Sequence, residues 1–91
     1  MSSLDEVHEQ MRLFDQALRE FNSELRASSI TLSLAHEQTT SLWKDAAAVR
    51  YVQAYEPLRQ SLDEYLKGAA PRFEQFLQAK VSQLEQYLNG M

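Results

Sequence analysis

The chain contains no cysteine, and only two glycines and two prolines among its 91 residues. Without cysteine there is no disulfide and no thiolate zinc site, the two devices that small domains use when a core is marginal. The absence agrees with a reducing compartment. Average usage would supply roughly ten glycines and prolines, so a turn-rich β fold is excluded. Basic residues are scattered singly, nine Lys and Arg against thirteen Asp and Glu for a net charge of −4. That pattern leaves no electrostatic footprint for nucleic acid or an anionic bilayer. No apolar run approaches the ~20 residues that a membrane helix needs. The opening residues MSSLDEVHEQMRLF are acidic and amphipathic, unlike a conventional signal peptide. The expectation is a cytoplasmic protein, or one exported by a route that does not read such a signal.

What remains is a helix-forming composition rich in Ala, Leu, Glu, Gln, Arg and Ser. The fold class is all-α, in a single domain over residues 1–91. From Leu4 the apolar residues fall at Leu4, Val7, Met11, Phe14, Leu18, Phe21 and Leu25, in alternating steps of three and four. That is the seam of a helix packed on a partner helix. Ser2 or Ser3 caps the start, and Asp5, Glu6 and Glu9 suit the positive end of the helix dipole. Asp15 and Arg19 stand four apart in the favourable orientation. Ile30 to Leu34 alternates like a strand, but no second segment offers to pair with it. The seam continues in phase at Leu32, Ala35 and Leu42, so the first helix spans about 4–38, loosened at Ser28-Ser29.

A turn at about 39–44 follows, and a second, bent helix over about 45–88. Asp45 before three alanines is a good N-cap. The second stripe runs through Ala47, Tyr51, Tyr55, Leu58, Leu62, Leu66, Ala69, Phe73, Leu77, Val81, Leu84 and Leu88. Pro57 interrupts it, and Lys67-Gly68 with Pro71 beyond form a stop-and-restart signal. The result is an antiparallel helical hairpin. Trp43 lies at the turn, placed to plug the end of the seam.

Two helices share one line of contact, and this chain has more apolar surface than one line absorbs. Leu13, Ile30 and Leu34 point away from the first seam, while Tyr65, Phe76 and Tyr87 sit beside the second. One remedy folds the last twenty residues back as a third helix. The preferred one pairs two hairpins into a four-helix bundle. The expected partner interface is Leu13, Ile30, Leu34, Tyr51, Tyr55 and Leu58.

No constellation points to catalysis. His8 and His36 are separated by about 42 Å of helix and cannot share a metal within one chain. Their expected place is a solvated face. The paired acids Asp5/Glu6 and Asp63/Glu64 lack a cleft that would perturb them and read as surface charge. Arg12, Arg19 and Arg26 recur every seven residues on an outward face. No catalytic, cofactor or metal residue is assigned, and no cofactor is expected.

The stretch LWKDAAAVRYVQAYEPL, residues 42–58, resembles the WXG-type, ESAT-like family of helical hairpins associated with type VII secretion. Trp43-Lys44-Asp45 stands where that family has its Trp-x-Gly turn, Ala46 to Ala48 supply its small residues, and Tyr51 and Tyr55 its aromatics. Asp45 replaces the glycine. The family's export tag, a Tyr with an acid four residues on, is missing, since Tyr87 is followed by LNGM. The resemblance implies a non-enzymatic secretion partner, chaperone or adaptor of bacterial type, acting as a homodimer or with a related hairpin or effector protein. The turn motif is Trp43 and Asp45. The alternative is a cytosolic three-helix immunity or regulatory protein that binds and inhibits another protein.

Overall fold

The computed structural model describes residues 3–90, and the cap expected at Ser2 lies outside them. Helix α1 (Ser3–Leu42) forms one arm. The other arm is continuous: α2 (Ala46–Glu64), a π-helical segment (Tyr65–Ala69) and α3 (Ala70–Leu88). The arms lie antiparallel in a rod of 67 × 16 × 16 Å. Its radius of gyration is 20.0 Å, where a compact chain of this length has about 12 Å. The all-α hairpin is therefore present. The third helix of the alternative fold is not, because α3 prolongs α2 instead of turning back.

Helix α1 continues to Leu42, four residues beyond the expected end, and Ser28-Ser29 does not interrupt it. Its last turns are rich in hydroxyls that bond back onto the preceding turn. Thr39 Oγ1 donates to the Ala35 carbonyl (2.9 Å), Thr40 Oγ1 to the His36 carbonyl (3.0 Å) and Ser41 Oγ to the Gln38 carbonyl (2.9 Å). These bonds occupy side chains that could otherwise compete for the helix's own groups. The Trp43 N–H closes the final turn on the Thr39 carbonyl at 3.1 Å.

The turn is accordingly short, Trp43 to Asp45. Asp45 takes extended geometry (φ −88°, ψ −178°) and its Oδ1 accepts from the Ala48 N–H at 3.1 Å. This is an ordinary N-cap. Among the described residues no non-glycine residue has positive φ, so the turn does not call for glycine at position 45. The second arm ends at Asn89-Gly90, with Gly90 at φ +78°, a conformation suited to glycine.

The stop signal at Lys67-Gly68 is not used. The Ala70 N–H reaches back five residues to the Tyr65 carbonyl, so the helix widens by one residue and continues. Pro71 explains the widening. A proline ring collides with the carbonyl four residues earlier, here Lys67, and supplies no N–H to it. A π-turn just ahead of the ring relieves both problems. Pro57 forfeits one bond without ending α2.

The face that α1 turns to the second arm differs from the expected seam. Leu4, Met11, Leu18 and Leu25 are half-buried there, but Val7, Phe14 and Phe21 are exposed, as are Leu32, Ala35 and Leu42. In their place stand His8, Asp15, Asn22, Ser29 and His36, spaced by seven. The apolar stripe of α1 is thus rotated about one residue away from its neighbour, and its edge lines the groove between the arms. On the second arm Ala48, Tyr55, Ala70, Leu77 and Val81 are buried. Ala69 and Phe73, expected in that row, are exposed; the residue added by the π-segment puts Ala70 and Glu74 there instead.

Candidate interaction surface

Polar seam positions require partners, since an unsatisfied buried polar group costs about 1–3 kcal/mol. Asn22 is 0% exposed. Its Nδ2 donates to Glu74 Oε2 and its Oδ1 accepts from the Tyr65 hydroxyl, both at 2.7 Å. Tyr65 and Glu74 are nine residues apart, which in a regular helix puts them about 180° from each other. The residue inserted by the π-segment reduces this to about 80°. One asparagine can therefore hold both.

Arg19 extends the cluster. It donates to Asp15 Oδ1 (3.2 Å), and across the arms to the Glu74 carbonyl (3.3 Å) and Gln78 Oε1 (3.2 Å). The expected Asp15–Arg19 pair is formed, but Arg19 also crosses the seam rather than merely facing outward. Arg12 pairs with Glu9 at 2.7 Å. That hydrogen bond holds the Glu9 carboxyl below its ordinary value, and Arg59 does the same to Glu56.

Both histidines sit at the seam, not on a solvated face. His8 Nε2 lies 3.3 Å from Glu85 Oε1 near the open end. His36 stacks on Tyr55 near the turn, ring centroids 3.9 Å apart, with its Nδ1 3.4 Å from the Tyr51 hydroxyl. The imidazoles fill seam positions that a heptad pattern reserves for packing.

Trp43 leans on Tyr51 at 5.6 Å between centroids and stays 36% exposed. It covers the end of the hairpin without being sealed by it. Of the six residues expected at a partner interface, Tyr55 is buried against His36 and Tyr51 is half-buried between His36 and Trp43. Leu13, Ile30, Leu34 and Leu58 are exposed. Leu13 and Ile30 stand about 25 Å apart along α1, so these four do not form one patch.

The patch that does form lies elsewhere, on the open half of the hairpin. Phe14 and Phe73 approach to 6.1 Å between centroids, and Phe73 and Phe76 to 6.4 Å. Phe14, Phe21 and Phe76 are each more than half exposed, at 52%, 56% and 54%. Val7 lines the adjoining grooves with Met11 and, across the arms, with Leu84 and Tyr87. The signal for Phe14 and Phe21 was already in the sequence, as half of the apolar stripe of α1. What the stripe did not tell was which half meets the second arm. Asn22, Tyr65 and Glu74 were missed as a group; the recurrence of polar residues every seven positions from His8 to His36 is the trace that could have found Asn22.

Among the described residues no group of His, Cys, Asp and Glu could hold a metal ion, and no helix is long and apolar enough to cross a membrane. No protein-family model, curated protein or solved structure matches the chain.

Proposed function

We propose that this protein is a non-enzymatic interaction module of the WXG-like type, a secretion partner, chaperone or adaptor that docks its hairpin as a homodimer or against a related or effector protein. The observation that carries the reading is the uncovered aromatic face of Phe14, Phe21, Phe73 and Phe76. Large apolar side chains grouped on one side of a rod forfeit about 1.5–3 kcal/mol each while they stay in water. Grouped exposure of this kind marks a binding surface. The turn of Trp43 to Asp45 with its following alanines, and the two-arm layout around it, support the WXG-like part of the reading.

Photo-crosslinking in the native host tests it. A photoreactive residue at position 14 or 76 should give a discrete protein adduct, and one at exposed Gln16 should not. Absence of any adduct at both face positions would sink the docking role. The secretion role makes a further demand: Phe14→Ser with Phe76→Ser should stop export of the protein so captured. Unchanged export would remove the secretion part.

A further inference from the structure

We propose that the π-helical segment is the device that presents the aromatic face. Its extra residue turns α3 so that Phe73 and Phe76 look outward; in a regular α-helix both would lie in the seam. The inference rests on the interaction-module reading and names what controls its site.

One helical residue is about 100° of rotation. The Ala70 N–H, bonded five residues back to the Tyr65 carbonyl, marks the insertion. Undoing it would move every seam position of α3 back by one. Ala69, Phe73 and Phe76 would then take the places of Ala70, Glu74 and Leu77. Phe73 and Phe76 are exposed as the chain stands, whereas Ala70 and Leu77 are buried. The regular register is also the one that continues the apolar stripe of Leu58, Leu62, Leu66, Ala69 and Phe73.

The register adopted runs against burial. It gives a carboxylate the seam place that a phenylalanine could fill, and it leaves two rings in water. A local choice that lowers stability is what a functional surface produces, and π-turns concentrate at such surfaces. Two features hold the arm in this register. Pro71 bars the regular helix, in which its ring would strike the Lys67 carbonyl. Asn22 bonds Tyr65 ahead of the insertion and Glu74 beyond it, both at 2.7 Å. A regular helix would carry Glu74 out of its reach.

The chain has no cysteine, so single cysteines report the register when labelled with a maleimide. Phe76→Cys and Leu77→Cys are compared in the full chain. Position 76 should react at least ~10-fold faster than position 77, which is shielded by the seam. Two further backgrounds release the register. Deletion of Gly68 with Pro71→Ala removes the extra residue. Asn22→Leu with Pro71→Ala keeps the length and removes both restraints. In each background position 77 should become the faster of the two, with circular dichroism reporting whether the helices persist. The parental order in either helical variant overturns the proposal. Loss of helix in both overturns it as well, since the regular register would then not be open to this chain. A photoreactive residue at position 76 should lose its protein adduct in both backgrounds, and an undiminished adduct counts against the proposal in the same way. The labelling needs no partner, so its failure and failure of the docking reading are told apart.

Discussion

Asn22→Ala would leave the Tyr65 hydroxyl and the Glu74 carboxylate without the amide that both contact at 2.7 Å. The expected loss is about 1–3 kcal/mol in urea unfolding, and a change well under 0.5 kcal/mol would remove the cluster from the account. Trp43→Ala should cost about 2–3 kcal/mol, short of the ~3–5 typical of a fully buried ring, because the indole is 36% exposed. Thermal unfolding of that variant checks the figure. Acid should weaken the hairpin by a known route. Arg59 lowers the carboxyl of Glu56 below its ordinary 4.5, as Arg12 lowers that of Glu9. A depressed carboxylate pKa contributes stability above its unfolded value and loses it as pH falls through the folded one. The Tm should therefore decline below pH 4.5, and less steeply in Glu56→Gln. At this scale the sequence was readable where the interaction is local, as at Asp45 and in the Asp15–Arg19 pair. It was not readable at Asn22, whose partners are 43 and 52 positions away.

The helices themselves were legible, but their orientation was not. Steps of three and four define a stripe on α1 without saying whether its middle or its edge meets the neighbour. The edge meets it, so Leu18 and Leu25 are half-buried and Phe14 and Phe21 are not. In a bundle of more than two helices an apolar stripe points between two neighbours, and this orientation suits such a setting. The second arm misled for a different reason. Gly68 and Pro71 each argue for a break, yet a five-residue π-segment absorbs them and keeps the arm whole. Gly68 is consequently dispensable. An added Cβ there would meet no atom closer than Arg72 Nη2 at 3.5 Å, an ordinary contact, and φ is not positive. Gly68→Ala should stabilise the protein by about 0.5–1 kcal/mol. Destabilisation on denaturation would show that the π-segment needs glycine's freedom.

At the scale of the molecule the hairpin has two unlike sides. One carries Asp15, Arg19, Glu74 and Gln78, tied across the seam. The other carries Val7, Phe14, Phe21, Phe73 and Phe76 with little to cover them. A rod 67 Å long and 16 Å wide has no interior to receive those rings, so its own fold cannot bury them. That surplus was foreseeable from composition and length, although the grouping of Phe14, Phe73 and Phe76 on the open half was not. Hydroxyl-radical footprinting of the purified chain over a dilution series addresses this division most directly. Phe14 and Phe76 should be protected at high concentration and become reactive on dilution, while Leu34 and Leu58 stay reactive throughout. Equal reactivity of all four residues at every concentration would contradict docking of the aromatic face as a homodimer.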